Sequence, residues 1–158
     1  MTRTKLWLGA LAFSAAAVDT QVYAEANRVQ FPKDLDDLVH YTTVRRSEVT
    51  EHIMTTREAV DAVKNGQPIP DGTHFVLVDH RDGKVHRYFV MQKGEGWGND
   101  YPESRRTDDW QFQWFWADKS VNMDENTARC QSCHSSRSGE NFLYTFDALG
   151  AFDDTMIE

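Results

Sequence analysis

Both cysteines of this chain fall in one short run, Cys130-Gln131-Ser132-Cys133-His134. In a C-x-x-C-H arrangement each thiol can add to a haem vinyl group, and the histidine can give an imidazole to the iron. The same residues admit rival chemistries. A thioredoxin-type redox pair wants a strand before it and a helix opening at it, whereas Asn122 to Arg129 reads as a helix already under way. A zinc site needs two further thiol or imidazole ligands at short spacing, and there is no second cysteine pair. A disulfide across two residues closes a loop too short to remove much chain entropy. The spacing therefore favours one covalent haem c, held by Cys130 and Cys133, with His134 as the metal ligand.

The other face of the iron decides what such a haem does. Beyond His134 the only methionine is Met156, two residues from the end, where chains fray. Upstream candidates are Met54, Met91, Met123, His40, His52, His74, His80 and His86, each more ordinary as a core or surface residue. The expectation is a five-coordinate iron. An open position binds small molecules; a closed one only passes electrons.

The elements that must carry these residues read mostly as strands. His74 to His80 is β-branched and short, Arg81-Asp82-Gly83-Lys84 turns, and Val85 to Met91 runs back. Asp-Gly between two such runs signals a hairpin. Trp110, Phe112, Trp114 and Trp116 alternate with their neighbours, a strand period with an aromatic buried face. Three short helices are expected: Lys33 to Tyr41 after Pro32, Thr56 to Lys64 before Asn65-Gly66, and the segment bearing the haem motif. The Gly-rich run from Gly94 to Pro102 reads as a loop that can edge a pocket. The fold class is α+β, mainly antiparallel sheet with a few short helices, in one domain.

The N-terminus bears on the compartment. Arg3 and Lys5 precede an apolar run from Leu6 to Val18, and Val22-Tyr23-Ala24 offers a cleavage site. Residues 1–24 read as a secretory signal peptide and 25–158 as the haem-binding domain, which places the protein in the periplasm with no stable membrane insertion after cleavage. Removing Arg3, Lys5 and Asp19 takes the net charge from −8 to −9. So acidic a chain argues against nucleic acid as a partner and is compatible with a redox partner protein.

Taken in order, several pieces resemble the cytochrome P460 family, whose relatives include cytochrome c′-beta. They are Glu51-His52, Pro70-Asp71-Gly72-Thr73 opening a strand, Gly96-Trp97-Gly98, Trp110-Gln111-Phe112, the haem motif, and Phe142-Leu143-Tyr144-Thr145. The resemblance implies a mainly antiparallel β domain, Cys130 and Cys133 as thioether donors and His134 as proximal ligand. It also implies homodimers, which family members often form. Members with the cytochrome P460 chromophore cross-link a strand lysine to the haem and oxidise hydroxylamine; here that position is Leu77, which cannot form the link. Lys84 and Lys93 are the nearest amines, one in the turn and one beyond the hairpin. Asn141 is a second departure, standing where the family often has Asp.

A two-residue Asp82-Gly83 turn puts Arg81 opposite Lys84, hence Leu77 opposite Tyr88 and Phe75 opposite Val90. If Leu77 stands over the haem, Phe75, Tyr88 and Val90 border the distal pocket with it; a bulge would exchange Tyr88 for Phe89. A distal side of Leu and Phe offers no hydrogen-bond donor, which favours nitric oxide over dioxygen, with the Tyr88 hydroxyl as the one doubtful group. The expected function is binding or detoxifying NO or a similar small ligand. Hydroxylamine oxidation and simple electron transfer are the alternatives.

Overall fold

The computed structural model describes residues 27–156. The signal peptide expected at 1–24 lies outside the described residues. A single five-stranded sheet forms the centre, with strands in the order β1-β2-β3-β4-β5 and every neighbouring pair antiparallel. They are β1 (Val39–Arg46), β2 (Val49–Thr55), β3 (His74–Arg81), β4 (Lys84–Lys93) and β5 (Trp110–Trp116). This is an α+β domain, as the residue pattern implies. Three short helices accompany the sheet: α1 (Arg57–Lys64), α2 (Ala128–His134) and α3 (Phe146–Gly150).

Helix α1 starts where its cap residue says it should. The Thr56 hydroxyl accepts a bond of 3.2 Å from the Ala59 amide, satisfying one orphan donor of the first turn. Two expectations fail. Lys33 to Tyr41 is not a helix: it holds one 3₁₀ turn, Leu35–Asp37, and then enters β1. Val39 and the Thr42-Thr43-Val44 run that follows are β-branched, and ladder pairing with β2 overrides the weak helical pattern. The approach to the haem motif is turns, and α2 begins only at Ala128.

The sheet separates two cores. On its front face Ile53, Phe75, Met91 and Phe112 pack with Val60 of α1, Leu149 of α3 and Cys130 of α2. On its back face Val76, Val78, Tyr88, Val90 and Phe115 pack with Val29, Phe31 and Leu38 of the N-terminal segment. β5 is buried on both faces along most of its length: Trp110 in front is 1 % exposed, and Gln111 and Phe115 behind are equally enclosed.

The β3–β4 hairpin sets which side chains share a face. Asp82 (φ 49°) and Gly83 (φ 71°) are both left-handed, as a two-residue type I′ turn requires. Arg81 does face Lys84, and His80 faces Val85. One step further β4 bulges at His86, so Asp79 faces Arg87, Leu77 faces Phe89 and Phe75 faces Met91. The uniform register expected from the turn is corrected by that one residue.

Candidate functional site

Helix α2 lays its motif against the front core. The Cys130 side chain is largely enclosed there, while Cys133 is exposed, and both thiols are free. Burial and the Glu125 charge push the Cys130 thiol up to about 11. A reactive redox dithiol needs the opposite, a thiolate stabilised at neutral pH. A protonated Cys130 thiol is compatible with addition to a vinyl group.

His134 closes the helix with its ring clamped between Phe112 of β5 (centroids 4.6 Å apart) and Tyr144 (5.3 Å). Its Nδ1 lies 2.6 Å from the Phe142 carbonyl oxygen. A carbonyl can only accept, so Nδ1 carries the proton and Nε2 keeps a lone pair for a metal. Burial lowers the affinity of this imidazole for a second proton, an effect the carbonyl partly opposes. The carbonyl is aimed by an unusual backbone: Asn141 (φ 52°) and Phe142 (φ 61°) are consecutive non-glycine residues in the left-handed region.

On the same front face, Leu77, Phe89 and Trp114 form one row across β3, β4 and β5. All three are only half-buried although they occupy the middle of the sheet. Phe89 and Trp114 lie 5.7 Å apart, and Trp114 meets Trp116 at 5.1 Å with the rings inclined by 56°. The Trp114 indole nitrogen is enclosed without a hydrogen-bond partner. An open apolar shelf beside a thiol helix, facing the same way as an imidazole with a free nitrogen, fits a flat macrocycle joined through Cys130 and Cys133.

A charged row borders the shelf. Asp79 is 1 % exposed and accepts from Arg87 Nε at 2.8 Å and Arg81 Nη2 at 3.2 Å. The Arg87 guanidinium lies over the Phe89 and Trp114 rings, at 4.7 and 4.6 Å. Glu51, nearly buried opposite Asp79, pairs with Arg46.

Of the residues expected at the distal side, Phe75 and Leu77 lie on this front face, Phe75 deep in the core against Trp110 and Tyr41. Tyr88 and Val90 do not: the bulge turns both into the back core, and Phe89 and Met91 take their places. Apolar alternation could not choose, because either register buries aromatic residues. Charge could have chosen, since only the bulged register sets Arg87 opposite Asp79. The Gly-rich loop does not edge the shelf either; its Trp97 packs in the back core. Gly98 there has no room for a Cβ, which would come within 2.3 Å of the Asp108 carbonyl oxygen.

The family model for cytochrome P460 matches residues 32–145, which takes in all five strands and the haem motif. The chain belongs to the cytochrome P460 family. Membership makes it a haem-binding cytochrome, in agreement with the shelf and the prepared imidazole. No curated protein matches the chain significantly. Leu77, the position where the resemblance puts the cross-linking lysine, lies on this shelf, and neither Lys84 nor Lys93 takes its place. Lys84 sits at the exposed hairpin tip, and Lys93 at the far end of β4 bonds the Ile69 carbonyl at 3.0 Å.

Proposed function

We propose that the protein is an exported, periplasmic cytochrome that carries one haem c on Cys130 and Cys133, with His134 as proximal ligand and the opposite side of the iron open to nitric oxide or a similar small ligand. The observation that carries this reading is the half-buried row Leu77–Phe89–Trp114 on the face that holds His134. When bound, the group supplies a redox-active iron with an exchangeable coordination site. The chain does the rest. Phe142 fixes the His134 tautomer, Phe112 and Tyr144 fix the ring plane, and the apolar row excludes water.

The candidates for a sixth ligand support an open site. His40, His52, His74, His80 and Met54 belong to the back face, and His86 and Met123 are exposed. Met91 alone among them stands on the front face, 5 % exposed within the core. The Tyr88 hydroxyl is removed as a donor by its burial behind the sheet. Arg87 commits its Nε to Asp79 and its guanidinium face to two rings. Beyond the unpaired Trp114 N–H and the outer Arg87 nitrogens the row is apolar, which favours a neutral ligand that bonds strongly without help, hence NO over dioxygen. Hydroxylamine oxidation of the cross-linked type lacks its amine, and pure electron transfer lacks an evident second ligand.

The absorption spectrum of the reduced protein, before and after NO, tests this. A five-coordinate, high-spin ferrous spectrum that converts on NO and persists in air is expected. A six-coordinate, low-spin spectrum indifferent to NO would sink the open-site reading. A red-shifted chromophore that reduces an acceptor on adding hydroxylamine would restore the enzymatic one.

A further inference from the structure

The back face carries a second constellation that the haem site does not use. His40 of β1, His52 of β2 and His80 of β3 stand on one diagonal across three adjacent strands. His40 pairs opposite Met54 and His52 opposite Val78, so each imidazole is the diagonal neighbour of the next. Their rings touch edge to face, His40 to His52 at 4.7 Å between centroids and His52 to His80 at 4.8 Å. They line a cleft of about 370 Å³ together with Met54, Asp36 and Tyr88.

The nitrogens are spaced for more than stacking. His40 Nε2 and His52 Nδ1 lie 3.2 Å apart. Two imidazole ligands on one tetrahedral ion, each with a bond of about 2.0–2.1 Å, sit about 3.3 Å from each other. His80 Nδ1 is 3.3 Å from its own strand's Val78 carbonyl, which makes Nδ1 the donor and leaves Nε2 with its lone pair. Met54 adds a thioether and Asp36 a carboxylate to the lining. Two features oppose a cation. His40 Nε2 lies 3.0 Å from the Thr42 carbonyl, which can only accept, and 2.8 Å from the Thr43 hydroxyl, so an ion must displace the proton on Nε2; the Arg45 charge also reaches His52. Among the described residues no group of three or more His, Cys, Asp or Glu side chains is placed to hold a metal ion without rearrangement.

We propose that this histidine diagonal binds a transition-metal ion of the imidazole-favouring class, zinc(II) or copper(II), with His40 and His52 supplying the first two nitrogens and His80 turning in as the third. The class follows from the donors: neutral imidazoles with a thioether nearby suit zinc and copper, whereas magnesium and calcium want a cage of oxygens. The ion would tie β1, β2 and β3 together behind the sheet, on the side away from His134. The inference is independent of the gas-binding reading.

Calorimetric titration of the haem-loaded protein with zinc chloride, and electron paramagnetic resonance after adding copper(II), test it. One ion per chain is expected, with nitrogen hyperfine coupling on the copper signal and an unchanged haem absorption band. His52→Ala should weaken zinc binding more than about tenfold, as should His80→Ala, while exposed His86→Ala leaves it intact. No uptake by the unmodified protein, or copper without nitrogen coupling, overturns the proposal whether or not the variants fold. Binding that survives both His52→Ala and His80→Ala also overturns it, because the ion then sits elsewhere.

Discussion

Asp79 is a buried carboxylate pulled in two directions by its surroundings. Burial pushes its carboxyl upward, yet hydrogen bonds and charge from Arg81 and Arg87 outweigh that and hold it below its ordinary 3.8. A depressed carboxyl contributes stability above its ordinary value and loses it as the pH falls through the folded one. Asp79→Asn should therefore cost about 2 kcal/mol at neutral pH. That is less than the roughly 3–5 kcal/mol of a fully enclosed pair, because both guanidiniums reach water. The melting temperature of Asp79→Asn, followed from pH 7 down to about pH 3, should fall less steeply than that of the parent. Parallel curves would show that the pair contributes nothing. Asp79 was readable as a strand residue; its burial was not, since a lone Asp beside Arg81 reads as a solvated face until its cross-strand partner is known.

Among the elements, the β3–β4 hairpin shows how far sequence reasoning reaches. Both strands and the two-residue turn follow from β-branching and Asp-Gly, and the structure has them at β3, Asp82-Gly83 and β4. The bulge at His86 does not follow, because Tyr88 and Phe89 are equally apolar in either register. Deleting His86 would remove the bulge yet keep Arg87 opposite Asp79 and Phe89 opposite Leu77, because His86 is the one unpaired residue. We expect the deletion to keep a cooperative unfolding transition and to cost at most about 1–3 kcal/mol, whereas His86→Ala stays within about 0.5 kcal/mol. Denaturant titration of both variants checks this; a deletion without a cooperative transition would refute the register. β1 and β2 were hidden for a different reason. Their polar Thr, His, Glu and Arg positions mask the alternation, and only pairing with β3 makes them strands.

For the whole molecule the governing fact is that one sheet serves two cores. The back core is closed by the chain's own N-terminal segment. The front core is closed by α1 and α3 at one end only, and leaves Leu77, Phe89 and Trp114 half-covered at the other. The proposed haem would complete that face. A Cys130→Ala/Cys133→Ala variant, unable to hold haem by thioethers, should melt about 5–10 °C lower and bind a hydrophobic dye on its exposed shelf. A pigment-free variant with unchanged melting would mean that the shelf is not the seat of the cofactor. The proposed haem ligands stand in five consecutive residues and need no fold to be seen. The shelf does need one, since its three members come from three strands whose alignment depends on the bulge.

The two left-handed residues before Leu143 carry one more consequence. The group that polarises the His134 imidazole is a peptide oxygen, so no side-chain replacement can delete it. In the proposed haem complex, electron density at the iron would be set by the shape of a turn, and changing it would require the loop from Gly139 to Leu143 to be rebuilt rather than any one residue exchanged.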